Sequence, residues 1–469
     1  MSEVAKSNRP AIMQRTRTPV LPYNILTPMP QTWTKIVLCL LMGCFGTSAA
    51  QYYVDPNGDD SNPGTQDKPW RTIQKAANAA FAGDTVIVRS GEYQERVTLP
   101  YGRSGSLQAP IVFRAEPQRT VRMRGFRGDR NDHIRIEGFV ITYDGPRWLG
   151  GGIWLDGSNW EIVNNQFVEV HGAAIQPTWQ SGKVCSNIVV AGNHMLRCNK
   201  GIIASGYNWL VESNEVERLI YYNEDADYAR FFGAGHVFRK NKFHGTLAQE
   251  IGDSHVDGFQ TFDNNGNIAQ NILIEGNLIQ GFYHQGMMLG NRTAGAMSNI
   301  VVRNNIFVNS ASWGICAYGI EGLKVYNNVF AFIASSAIGF RAYDKGPPTT
   351  GEVMNNIFYE FGAAYWAEAG CTLVARGNLL YRPGRISDPE RYPGDLCNID
   401  PLFVDAKSGD FRLRQGSPAI DAGVTLTSFA WDINGTVRPQ GAAWDIGPYE
   451  FPISDVRLAP PERLRVLAR

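Results

Sequence analysis

The sequence has no excess of either charge. Its 44 Lys and Arg balance 44 Asp and Glu, so no net field draws it to nucleic acid and no such partner is expected. Cysteine is scarce, with seven in 469 residues and none in a CxxC pair, which argues against structural zinc. Long apolar runs are also missing, apart from IVLCLLMGCFG at 36–46. That run is too short to span a bilayer comfortably. With Lys35 before it and TSAA after it, it reads as a signal peptide cut after Ala50. Met29 would give a start of conventional length, and Met42 spoils LMGC as a lipoprotein box. The expected product is secreted or periplasmic, with no stable membrane span once the signal is removed. Cys39 and Cys44 leave with the signal. Cys185, Cys198, Cys316, Cys371 and Cys397 remain, with 185–198 and 371–397 as possible disulfides.

The middle of the chain has no sustained i, i+3, i+4, i+7 apolar stripe, which speaks against amphipathic helices. It has instead a recurring asparagine. Asn165, Asn193, Asn214, Asn241, Asn277, Asn305, Asn328, Asn356 and Asn378 each sit in a small copy of one phrase, such as VNNQF, AGNHM or RNNIF. Successive steps are 28, 21, 27, 36, 28, 23, 28 and 22 residues. A repeat of this period means a solenoid whose units cover one another's apolar faces. Short β-rich runs broken by Asn, Gly and Ser make it a parallel β-helix, all-β, rather than a leucine-rich repeat. The asparagine suits a tight corner, where it tolerates a left-handed backbone, and its amide can bond to the next coil. The nine are scaffold, not site candidates.

Both ends support this reading. Residues 51–100 begin YYVDPNGDDSNPGT, continue through an expected helix at about 72–82 and reach GDTVIVRSGEY. DPNGDD reads as a turn, since it lacks the sixth-position Gly and the terminal Glu of an EF-hand calcium loop. The helix, with Ile73, Ala76, Ala77, Ala80 and Phe81 on one side, is expected to cap the open solenoid. This region resembles the start of secreted right-handed parallel β-helix proteins of the pectate-lyase-like superfamily. DPLFVDAKSGDFRLRQGSPAIDAG and DINGTVRPQGAAWDIGPYEF resemble the C-terminal segment of exported bacterial β-helix proteins. The expected organisation is an extension with signal peptide at 1–50, a cap and first coil at 51–100, and the β-helix at 101–382. A C-terminal capping segment at 383–453 and a tail at 454–469 follow. The resemblance implies a carbohydrate-active protein acting on an acidic polysaccharide. Its oligomeric state is open, with a monomer as the default.

One unit breaks the rhythm. The 36-residue step contains GTLAQEIGDSHVDGFQTFDNNGN, and NEDADYAR precedes it. Long excursions from a regular scaffold are where function usually sits. Aligning the strand after each Asn phrase puts Ile153, Ile175, Ile202, Ala229, Phe259, Met287, Ile315 and Ile338 inward. Lys200, Asp227 and Asp257 then stack in one outward column, with Arg230 and Gln260 stacked beside them and His255 at the strand's entrance. Asp156 also faces outward. Lys200, Asp227, Arg230, His255 and Asp257 are the catalytic candidates. Trp154, Gln176, Gln260, Gln285, Trp313, Tyr318 and Arg341, with Trp179, are candidates for binding sugar rings and hydroxyls. Surface columns of any solenoid are polar, so turn and packing roles compete with each of these.

Two chemistries fit. A polysaccharide lyase neutralises a uronate carboxylate, removes the neighbouring proton and expels the 4-linked sugar. Glu224, Asp225, Asp227 and Asp257 could assemble oxygen ligands for Ca2+ in that role, with Lys200, Arg230 or His255 as base or clamp. The layout resembles β-helical pectate, alginate and chondroitin lyases. The Asn-Lys-Ser strand phrase of the alginate and chondroitin lyases is absent, so no motif residue is carried over. A glycoside hydrolase would instead use Asp227 and Asp257 as paired carboxylates about 5 Å apart. A uronan epimerase is a variant of the lyase chemistry, and a polysaccharide-binding adhesin is the non-enzyme alternative.

Overall fold

The structure, a computed structural model, describes residues 49–146, 152–178, 182–263, 266–281, 284–383 and 392–452. The expected signal segment, the tail at 454–469 and Trp179 lie outside the described residues.

The chain repeats one path. A short strand, a tight corner, a second short strand and a third strand complete each coil. One coil comprises Val189–Ala191, His194–Leu196 and Lys200–Tyr207; the next comprises Leu210–Glu212, Glu215–Glu217 and Ala229–Ala234. Each strand pairs parallel with its equivalent one coil on: Val189 with Leu210, His194 with Glu215, Ile202 with Ala229. Three parallel ladders result, making a parallel β-helix. No helix among the described residues is long and apolar enough to cross a membrane.

The third ladder has the register that the strand alignment implies. Ile153, Ile175, Ile202, Ala229, Phe259, Met287, Ile315 and Ile338 pair in that order, and all are fully buried. Each large member contributes roughly 1.5–3 kcal/mol by leaving water. A one-residue slip would turn this column outward, so burial fixes the register and with it the outward columns that form the site.

The asparagine ladder runs along the corner between the first and second ladders. From Asn193 onward, each member's Oδ1 accepts from the backbone N–H and the side-chain amide of the asparagine one coil back, as in Asn277 to Asn305 at 2.9 Å for both, while Asn165 Oδ1 accepts from the Phe139 N–H at 3.0 Å. Its own amide donates to a carbonyl of the preceding coil, as in Asn305 to Ile274 at 2.9 Å. Asp395 ends the ladder, accepting from Asn378 at 2.9 and 3.2 Å. Burial pushes its carboxyl up to about 7. One expectation is corrected. The left-handed residue is not the ladder asparagine but the one before it: Asn164, Gly192, Ser213, Lys240, Gly276, Asn304, Asn327, Asn355 and Gly377. The split is physical. The preceding residue turns the chain, which leaves the ladder asparagine free to aim its amide along the axis.

The N-terminal helix, Ile73–Ala79, is shorter than expected. Thr72 caps it, and Glu95 accepts from the N–H groups of Ile73 and Gln74 at 2.7 and 2.9 Å. Ile73, Ala76, Ala77 and Ala80 are buried as expected, but Phe81 is 59% exposed under the Arg103 guanidinium. The C-terminal segment covers the side of the solenoid. Phe403, Phe411, Leu413, Ala419 and Ile446 pack with Ile306, Val329, Ile357 and Leu379, which are second-ladder residues on four successive coils. Those positions are apolar on their outward face and need a cover, so the segment works laterally where an end cap was expected. Cys185, Cys198, Cys316 and Cys371 are free thiols, so neither possible disulfide is formed.

Candidate active site

The third ladder carries three outward columns. In the first, Ala173 pairs with Lys200, and the same register leads through Asp227 to Asp257, Gln285 and Trp313. In the second, Trp154 pairs with Gln176, and Ile203, Arg230, Gln260 and Met288 follow. In the third, Phe232 lies one coil from Phe262, and the column continues through Gly290 and Tyr318 to Arg341.

A cavity of about 440 Å³ opens on these columns, within the usual range for a small-molecule site. Ala173, Ile203, Phe232 and Phe262 form its apolar part. Lys200, Arg230, Glu224, Gln176 and Asn267 supply its polar groups, and Trp154 stands at its edge. The Lys200 side chain is only 3% exposed, and its Nζ lies 2.7 Å from Glu224 and 3.1 Å from the Asn199 side-chain oxygen. Burial lowers the ammonium to about 8; Arg230 adds to the fall, while Glu224 and Asp227 oppose it. Arg230 is held from behind. Its Nε and Nη2 each lie 2.5 Å from Asp227 Oδ2, and Asp225 is 3.8 Å away.

The acidic residues do not face the cavity as a pair. Asp227 and Asp257 have no exposed surface. Asp227 Oδ1 accepts from the Asp257 N–H at 3.1 Å, and Asp257 Oδ1 from the Gln285 N–H at 3.2 Å. Each aspartate thus bonds to the backbone one coil on while its other oxygen holds a side chain. For Asp257 those are Gln260 at 2.9 Å and His255 at 3.3 Å. Burial and the neighbouring Asp257 raise the Asp227 carboxyl, against the pull of Arg230. The paired-carboxylate arrangement is therefore corrected: both aspartates are covered, each two residues before a core residue (Ala229, Phe259), and Glu224 alone among the candidate carboxylates lines the cavity.

The expected calcium set is not gathered either. Glu224 is engaged by Lys200, and Asp227 by Arg230 and the Asp257 backbone. Among the described residues, a His/Cys/Asp/Glu trio with ligand atoms within 4.8 Å of one another is formed by Glu215, Glu217 and His244, on the second ladder. None of the four expected ligands belongs to it. Glu215 there is bonded to Lys242 and His244.

The other candidates divide by position. Gln176 lines the cavity. Trp154 is only 6% exposed, with the Arg96 guanidinium 5.3 Å from its ring, so it is not the open platform expected. Gln260, one coil on from Arg230, is likewise buried, and Asp156 is buried too. His255 lies outside the cavity lining; its bond to Asp257 raises its pKa, and it stacks on His284 at 4.0 Å. Trp313, Tyr318 and Arg341 form a separate group several coils along. The long excursion holds a short helix, Ala248–Ile251, whose Glu250 bonds to Arg197 and to Arg218 at 2.6 Å. Its acid anchors the loop. Sequence reasoning missed Phe232, Phe262, Asn267, His284 and Arg96. The two phenylalanines stand two residues after Arg230 and Gln260, so extending the alternation by one more position finds them. Arg96 lies before the first asparagine unit, where that ruler does not reach.

The fold is thus a parallel β-helix with a cationic, aromatic-lined furrow on one face. The chain belongs to the Pel9A-like right-handed β-helix family, whose sequence model matches residues 52–332. It is 25% identical to the uncharacterized protein YwoF of Bacillus subtilis (strain 168), over 78% of this chain and 91% of that one. It is also 42% identical to pectate lyase PEL9 of Emericella nidulans over 67 residues, 14% of this chain and 16% of that protein. Among solved structures, pectate lyase Pel9A superposes with a TM-score of 0.55 at 19% identity, covering 86% of this chain and 97% of that one. XylC in complex with xylose superposes at 0.57 and 13% identity, covering 85% and 98%. At such identities these structures share the fold.

Proposed function

We propose that this protein is a polysaccharide lyase that cleaves a uronic-acid-containing polymer by β-elimination. The observation that carries the reading is the buried Lys200 amine beside Arg230 in one open cavity. Arg230, fixed by Asp227, meets the uronate carboxylate and withdraws charge from it. The neutral Lys200 amine takes the proton from the carbon next to that carboxylate. The electron pair left behind forms a double bond to the neighbouring carbon, and that carbon's bond to the 4-linked oxygen breaks. The leaving oxygen takes a proton from solvent, giving one unsaturated end and one new reducing end. Phe232 and Phe262 give the sugar ring an apolar surface. Membership of a family named for a pectate lyase supports this reading, as does the short match to PEL9.

The hydrolase alternative is weaker, because it needs two carboxylates on the cavity and Glu224 is the one candidate there. An epimerase would use the same base with a proton returned to the other face, and an adhesin would bind without a product. The protein is further proposed to be exported, where such polymers occur. The test is a screen of pectate, alginate, glucuronan and glycosaminoglycans, with and without EDTA, reading reducing ends and the ultraviolet absorbance of unsaturated uronate together. Reducing ends without that absorbance would refute elimination. The EDTA arm reads whether a divalent cation takes part.

A further inference from the structure

The furrow does not stop at the cavity. Its third column runs from Phe262 through Gly290 to Tyr318 and Arg341, one coil at a time. At Gly290 there is no side chain, and the Tyr343 phenol occupies the space: a Cβ there would lie 3.0 Å from its hydroxyl. Gly339 does the same for Trp313, whose ring would lie 2.4 Å from an added Cβ. Two glycines in the outward columns thus let aromatic rings settle onto the sheet. The rings are joined by cations. Tyr343 stacks on Tyr318 at 4.3 Å, and the Arg292 guanidinium lies 3.8 Å from the Tyr343 centroid. Arg341 lies 4.5 Å from Tyr318 and 5.7 Å from Trp313, and Glu368 holds it at 2.7 Å. The aromatic residues are partly exposed.

We infer that this aromatic and arginine platform is a distal binding site for the same acidic polysaccharide chain, so that tight binding requires a chain long enough to reach from the cavity to Tyr343 and Trp313. The inference rests on the proposed function for the identity of the ligand. Three features argue for it. The platform shares a column with the cavity wall, so one extended chain can follow both. Its cations match a polyanion, and guanidinium on an aromatic ring presents charge with little loss of side-chain freedom. Adjacent coils lie roughly 4.8 Å apart, so the four steps from the Arg230 coil to the Arg341 coil span about 19 Å. That span exceeds a single sugar and suits an oligomer.

The experiment measures binding of size-fractionated oligogalacturonates and alginate oligomers, from dimers upward, to the full chain and to Tyr343→Ala and Arg292→Ala, with elimination assayed separately. Affinity is expected to rise with length up to the span and then level off. Tyr343→Ala should weaken long oligomers about tenfold, leaving the shortest unchanged and kcat on saturating polymer intact. Arg292→Ala, at an exposed position, should give the same selective loss in smaller degree if Tyr343→Ala proves unstable. Elimination with affinity that ignores length and both substitutions overturns the platform and leaves the proposed function standing. Length-dependent, Tyr343-dependent binding without elimination supports the platform and overturns the lyase reading. No binding of any oligomer overturns both.

Discussion

If Lys200 is the base, Glu224→Gln should make the protein more active at neutral pH, although it removes a charged group from the cavity. Lys200 has a pKa of about 8. At pH 7 about a tenth of the molecules then carry the neutral amine, and at pH 9 about nine tenths. The kcat/KM for elimination should therefore climb about tenfold between those values and level off. Glu224, 2.7 Å from Nζ, holds the proton on. An opposite charge at this range favours the charged amine, an effect that the 31% exposure of Glu224 moderates. Its loss should lower the Lys200 pKa further and raise kcat/KM at pH 7 roughly fivefold, the change expected of an about tenfold weaker hold on the proton, with no gain at pH 10. The assay is the pH profile of unsaturated-uronate formation for the two proteins, with Lys200→Met as the inactive reference. A rising limb that stays in place, or moves to higher pH, refutes Lys200 as the base.

The same shift can be read without any substrate. Lys200 binds its proton less tightly in the folded chain than in the unfolded one. Between pH 8 and 10.5 the unfolded state therefore holds more protons at this site, and its contribution to stability rises with pH across that window by up to about 3 kcal/mol. The buried thiols of Cys185, Cys198 and Cys316, raised by burial, act with the opposite sign above pH 9, so the rise is read as the difference between denaturant melts of the native protein and of Lys200→Met. If that difference is flat across the window, the buried amine is not strained.

Three further outcomes follow from the packing. Asp227→Asn leaves Arg230 without its buried partner, which costs about 3 kcal/mol of stability and lowers kcat/KM at least tenfold; unchanged denaturant midpoints and kinetics would show that Asp227 does not hold the arginine. Asn305→Ala removes the acceptor of two buried donors on Asn277, at a cost of about 3–5 kcal/mol measured by urea melts, whereas a cost under 1 kcal/mol would mean the ladder is dispensable. Phe232→Ala opens the apolar wall and should raise KM severalfold with a loss of stability of about 3 kcal/mol, an effect on binding that equal KM for both proteins would rule out.

The nine asparagines predicted a solenoid because a residue buried at a corner must bond to its own equivalent one coil away, and that need leaves a mark at fixed period. The core column was legible for the same reason. Ile153 to Ile338 recur once per coil, and burial allows them one register. What the period could not show is which outward residues meet solvent. Lys200, Asp227 and Asp257 share a column, yet Lys200 and Arg230 line the cavity while both aspartates are sealed behind them, bonded to the backbone of the next coil. A shared column tells which side chains stack from coil to coil; exposure depends on what crosses over them, and that is set by loops without a period. The left-handed turn residues illustrate the opposite case, since Gly, Asn or Ser precedes eight of the nine asparagines and so already marked the position that bends. Where a physical demand recurs every coil the sequence displays it, and where the demand is met once, as at Arg230, the single contact has to be seen. The buried aspartates follow from that distinction. They stand in the column as scaffold residues do, and their contribution to chemistry, if Lys200 is the base, is to hold Arg230 and the coil above it in place.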